Sequence, residues 1–179
     1  MPVIVISGQP GCGSSTLASI IAKKLGLRHF SLGRIFKKLS KGSETEKATK
    51  GFETKKGGSA AFHAKLDKMQ RKIAEKGNVV IDSKLGIHML NDIADFKIWI
   101  KASEKIRARR IMKRDKVPFK QAMKLLKERE NAERNFFKKI YGFDPYKQEK
   151  KADLVLNTAR KTPRQLATIA IKKFRKAKK

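Results

Sequence analysis

Between an apolar run and an amphipathic helix, the chain carries Gly8-Gln9-Pro10-Gly11-Cys12-Gly13-Ser14-Ser15. Three glycines and a proline between Gly8 and Gly13 are hard to explain by packing alone. They describe a backbone that turns sharply with its N–H groups facing inward. The flanks agree with that reading. Val3-Ile4-Val5-Ile6 is a continuous β-branched run, the mark of a strand covered on both faces. Beyond the loop, Leu17, Ile20, Ile21 and Leu25 recur at helical spacing with Lys23 and Lys24 opposite, and Gly26 ends the helix. Strand, Gly-rich loop and helix N-terminus together make an anion nest of inward amides at the positive end of a helix dipole. A phosphate loop of this kind normally offers a lysine and then a hydroxyl that ligates Mg²⁺. Here Ser15 supplies the hydroxyl, but Ser14 stands in the lysine's place. The cup is present and its own cation is missing.

The rest of the chain alternates strand and helix patterns. Leu27–Phe30, Asn78–Asp82, Phe96–Ile100 and Leu154–Leu156 read as further short strands, the second of these ending in an acid. Helices are expected at about 61–76, 103–115, 118–139 and 163–176, with Gly77 closing the first. Residues 40–60, rich in Gly, Ser, Thr and charge, read as a loop or weak helix. The alternation predicts a three-layer α/β fold: a five-stranded parallel sheet flanked by helices.

The formal net charge is +29, and it is unevenly spread. Residues 32–76 carry +8, residues 103–152 carry +10, and residues 160–179 carry +9 with no acid, leaving +2 for the remainder. Lysine supplies 33 of the 45 cations. Such a surface attracts polyanions in a salt-dependent way, which makes nucleic acid or the ribosome a candidate partner. No apolar run approaches a membrane span, and the start lacks the basic region of a secretory signal. The single cysteine, Cys12, excludes an internal disulfide framework and a Cys-based zinc cluster. A reducing cytosol is the expected compartment, and a monomer the expected state. His29, His63 and His88 show no metal spacing, Trp99 is expected in the core, and Phe136 and Phe137 are read as packing rather than base-stacking residues.

Several motifs follow one another along the chain: Gly8–Thr16, Ser31-Leu32-Gly33-Arg34-Ile35-Phe36-Lys37, Leu66-Asp67-Lys68-Met69-Gln70 and Asn78–Gly86. Arg110-Ile111-Met112-Lys113-Arg114, Arg129-Glu130-x-x-Glu133-Arg134, Tyr141-Gly142-Phe143-Asp144 and Asp153–Thr158 complete the set. In this order they give the chain, from about residue 2 to 174, a resemblance to the archaeal-type cytidylate kinases of the nucleoside monophosphate kinase superfamily. The resemblance implies one P-loop kinase domain with a core of 1–31, 77–103 and 152–179. A monophosphate-binding insertion of about 32–76 and a lid of about 104–151 would close over it.

It also implies roles. Gly8, Gln9, Pro10, Gly11, Cys12, Gly13, Ser14, Ser15 and Thr16 would bind ATP, with Ser15 on Mg²⁺. Ser31, Arg34, Lys37, Asp67, Asp82 and Lys84 would position the acceptor monophosphate, most simply CMP or dCMP. Arg110, Arg114, Arg129 and Arg134 would close over the transfer. Arg34 departs from the family's Asp, Lys37 and Lys84 from its arginines, and Asp82 from its Glu. Arg110 and Arg114, four apart, share a helix face, whereas Arg129 and Arg134, five apart, need a bend or different reaches to act together. Two other readings compete: a nucleic-acid or ribosome-associated protein on a kinase-like fold, and a kinase of another acceptor such as AMP.

Overall fold

The computed structural model describes residues 1–177; Lys178 and Lys179, the end of the basic tail, lie outside the described residues. Five strands, β1 (Val3–Gly8), β2 (Arg28–Ser31), β3 (Val79–Asp82), β4 (Phe96–Lys101) and β5 (Leu154–Asn157), form one parallel sheet in the order β2-β3-β1-β4-β5. The expected architecture is therefore met. Every residue of β1 and β3 is buried, as their unbroken apolar character requires.

Side chains alternate across the sheet and build two cores. On one face Ile4, Ile6, Val80, Ile98 and Ile100 pack against α1 (Ser14–Leu25) and the later helix Pro163–Ala177. On the other, Val3, Val5, Val79, Ile81 and Trp99 form the second core, which Ala74, Ile87 and Leu90 complete.

Between β2 and β3 run α2 (Leu32–Phe36), α3 (Glu44–Lys50) and α4 (Ala60–Glu75). Residues 40–60 are more ordered than expected. Ser43 accepts a hydrogen bond from the Glu46 backbone N–H, and the Glu46 side chain accepts one in return from the Ser43 N–H, a capping box that starts α3. Thr45 and Ala48 of this helix are buried. After β3 comes α5 (Gly86–Met89), which the sequence pattern did not signal.

Beyond β4, α6 (Glu104–Asp115) and α7 (Phe119–Tyr141) form a hairpin with a small core of Ala108, Ile111, Ala122 and Leu126. Gly142, at φ 66, closes α7, and α8 (Pro163–Ala177) ends the fold. Among the described residues no helix is long and apolar enough to cross a membrane.

Candidate active site

The loop after β1 sits at the carboxyl edge of the sheet, where β1 lies between β3 and β4. Gly8 must be glycine because a Cβ there would meet the Ile100 carbonyl oxygen at 2.5 Å. Gly11 and Gly13 hold φ of 78° and 91°, which turn the amides inward. Cys12 is buried, and burial pushes its thiol up despite the opposing charges of Arg107 and Lys84. It packs the loop and has no reactive thiolate.

The loop's outward carbonyls are taken by three cations from two other places, the segment after β3 and helix α6. Lys84 Nζ donates to the Gly8 oxygen at 2.8 Å, Arg107 to the Pro10 oxygen at 3.2 Å, and Arg110 to the Cys12 oxygen at 3.0 Å. Arg107 also reaches the Ala102 oxygen at 3.0 Å and Glu130 at 2.5 Å, and it is buried. Arg110 is fastened to Thr158 Oγ1 and O at 2.7 and 2.6 Å. Positive charge thus surrounds the cup although residue 14 supplies none.

Strand register brings a second group level with the loop. Ser31, Asp82 and Ile6 are aligned across β2, β3 and β1. Ser15 Oγ donates to Asp82 Oδ2, and Ser31 Oγ donates to the same oxygen at 3.0 Å. A hydroxyl and a carboxylate side by side at the mouth of an anion nest are hard oxygen donors, the set that suits Mg²⁺ bound together with phosphate.

A cavity of about 570 Å³ opens over this edge. The loop residues Gly8 to Thr16 line it, together with Lys37, Asp67, Asp82, Lys84, Arg110, Arg114 and Arg129. Three of the expected residues stand elsewhere. Arg34 is exposed beside His29 Nδ1, at 3.5 Å. Arg134 is exposed, 3.7 Å from Asp144 and above the Tyr146 ring. Ser31 reaches the site only through Asp82. Lys37 is paired with Glu44, whose carboxyl that hydrogen bond holds below its usual value.

Sequence reasoning gave no role to Glu133, which organises the inner wall. It is 3% exposed and accepts from Lys84 at 3.0 Å, Arg129 at 2.9 Å and the Tyr146 hydroxyl at 2.6 Å. Burial alone would raise its carboxyl, but the charges of Lys84 and Arg129 and the Tyr146 hydrogen bond outweigh that and draw it down to about 2. The pair is unequal. Lys84 has one carboxylate and a crowding Arg129, so burial pulls its ammonium below the ordinary lysine value.

The far wall is aromatic. Phe52 and His63 stack at 6.2 Å, and Phe52 meets Phe137 edge-on at 5.6 Å. His63 is buried, its Nε2–H donating to the Gly57 oxygen at 2.8 Å while burial lowers its basicity. Asp67 accepts from the Tyr141 hydroxyl at 2.5 Å and from Gln70 at 2.9 Å, and burial pushes its carboxyl up. Phe36, Phe52 and Phe136 complete the cluster, so Phe136 and Phe137 pack as expected. A long-range signal for these contacts is missing from local spacing, but the helical repeat of Glu133, Phe137 and Tyr141 on one face of α7 was available.

Comparison with known proteins bears on this cavity. Residues 3–160 match the model of the cytidylate kinase-like family. A cytidylate kinase of Sulfurisphaera tokodaii is 37% identical over 174 residues, covering 93% of this chain and 92% of that protein. The cytidylate kinase of Methanocaldococcus jannaschii is 38% identical over 147 residues, with 79% and 80% covered. Among solved structures, the shikimate kinase of Bacteroides thetaiotaomicron superposes with a TM-score of 0.62 at 18% identity, over 98% of this chain and 96% of that one. That last likeness concerns the fold.

Proposed function

The chain belongs to the cytidylate kinase-like family, and we propose that it transfers the terminal phosphoryl group of ATP to CMP or dCMP. The observation that carries this reading is the meeting of the amide loop, the Ser15–Asp82 pair and three arginines on one cavity. Phosphoryl transfer spreads charge over the equatorial oxygens of the moving group, so catalysis consists mainly of positioning and cation placement. An oxygen of the acceptor monophosphate attacks the terminal phosphorus. The bond to the β–γ bridging oxygen breaks, and ADP leaves.

In this reading the amides of Gly11–Ser15 hold the donor phosphates. Ser15 and Asp82 would hold Mg²⁺, which supplies charge neutralisation at the β- and γ-oxygens when bound with ATP. Asp82 is therefore moved from the acceptor side, where the resemblance put it, to the metal side. Arg110, Arg114 and Arg129 face the phosphoryl path. Lys37 and Asp67 belong to the acceptor side, where the Phe52 ring offers an apolar face to a nucleoside. Arg34 and Arg134, away from the cavity, take no part. Residues 32–76 act as the monophosphate-binding insertion and 104–151 as the lid, whose closure excludes water. The cytosol, which holds both nucleotides, is the expected place of action.

The test is ADP release measured with CMP, dCMP, UMP, AMP and GMP in turn. CMP and dCMP are expected to give the highest kcat/KM. AMP outrunning CMP would overturn the acceptor assignment, and no turnover with any monophosphate would overturn the activity.

A further inference from the structure

A triphosphate held only by amides lacks the ammonium that such loops place at the β- and γ-phosphates. Ser14 cannot supply it. We propose that Lys84, from the end of the neighbouring strand, takes over the role of the missing loop lysine and contacts the donor phosphates. The inference rests on the phosphotransferase reading and deepens it, because the resemblance had assigned this residue to the acceptor.

The geometry begins with the sheet. β1 and β3 are parallel neighbours with Ile6 opposite Asp82. Two residues further along each chain stand Gly8 and Lys84, and there Lys84 Nζ bonds to the Gly8 oxygen at 2.8 Å, the first carbonyl of the loop. A lysine at position 14 would start α1, and side chains on a helix lean towards its N-terminus, back over the same loop. The two routes lead to one rim.

Donor counting favours the same assignment. An ammonium carries three hydrogens. One goes to Gly8 and one to Glu133 Oε2 at 3.0 Å, and the ammonium also lies 5.4 Å from the centre of the Tyr146 ring; no third hydrogen-bond acceptor meets it among the described residues, which leaves that hydrogen for a ligand in the cavity that Lys84 lines. Three other cations near the loop are committed differently. Arg107 is buried, with its donors on Ala102, Pro10 and Glu130, and it does not line the cavity. Arg110 braces the other end of the loop against Thr158, and Arg114 is half exposed against Asp115 and Thr45. Glu133 opposes the burial that weakens the Lys84 ammonium and holds it at 3.0 Å, so the carboxylate is a positioning residue for the cation.

The experiment compares wild type, K84M, K84R and the double variant S14K/K84M. Isothermal calorimetry measures Mg–ATP and CMP binding separately, and steady-state assays give kcat. K84M is expected to lose roughly 100-fold in kcat, as removal of one transition-state donor does. Its Mg–ATP affinity is expected to fall at least fivefold more than its CMP affinity; a smaller ratio overturns the proposal. S14K in the K84M background is expected to restore at least tenfold in kcat, a rescue that a merely structural lysine would not show, and no recovery overturns the proposal. K84R, which keeps the charge, should fall between wild type and K84M.

Should K84M not fold, amine labelling of the wild-type protein read by mass spectrometry gives the same answer. Mg–ATP is expected to protect Lys84 and CMP alone is not; the opposite pattern overturns the assignment. If wild type fails the acceptor panel, the activity reading falls by that assay, while calorimetry and labelling still decide what Lys84 touches.

Discussion

Replacing Glu133 by Gln keeps the side chain's shape and its capacity to accept from Tyr146, and removes one buried negative charge from between Lys84 and Arg129. Two routes give the size of the effect. The carboxyl's fall from 4.5 to about 2 corresponds to about 3 kcal/mol of folding stability. Removing one partner from a buried ion pair costs about 3–5 kcal/mol, because the other charge stays buried. At pH 7 the variant should therefore lose about 3 kcal/mol in urea unfolding, or roughly 10 °C in Tm for a chain of this length. The pH dependence fixes the cause. A carboxyl depressed in the fold contributes fully above its unfolded value near 4.5, and the contribution is lost as pH falls through about 2. The gap between wild type and variant should accordingly narrow to about 1 kcal/mol at pH 3. A loss below about 1 kcal/mol at pH 7, or a gap that does not change on acidification, would refute the picture of Glu133 as the anchor of the two cations.

Two further outcomes test the cavity's edges. Arg110→Ala removes the brace between Cys12 and Thr158, so kcat should fall roughly 100-fold and the KM for Mg–ATP should rise; unchanged kinetics would take Arg110 out of the site. Ser43→Ala breaks the capping box and should cost about 1 kcal/mol, speeding hydrogen exchange across residues 44–50 about fivefold with little change elsewhere. Unaltered exchange there would mean that tertiary contacts alone hold α3.

The layers were legible where the physics is local. Val3–Ile6 and Val79–Ile81 are buried on both faces, and unbroken β-branched runs say so directly. The glycines around Cys12 likewise announce the loop, since φ of 78° and 91° excludes most other residues. The capping box at Ser43 and Glu46 was present in the sequence but masked by the glycines and charges around it. Arg129 and Arg134 show what spacing can do: five residues apart, they diverge on α7, and only Arg129 lines the cavity. The Glu133 hub was not legible, because its three partners come from the end of β3, from one turn earlier in α7 and from the segment beyond it. Lys84 was recognised as a phosphate-facing residue by resemblance. Its bond to Gly8 depends on how two strands pair, which no single-chain pattern reports.

That pairing has its own consequence. Because alternate residues of a strand face opposite ways, sliding β3 by a single step against β1 would bring Ser83 or Leu85 beside Gly8 and turn the ammonium from the loop. The same slip would separate Asp82 from Ser15, which follows β1 through the loop. A molecule folded with that error would be both less stable and chemically silent, so the buried ladder of the sheet acts as a check on assembly.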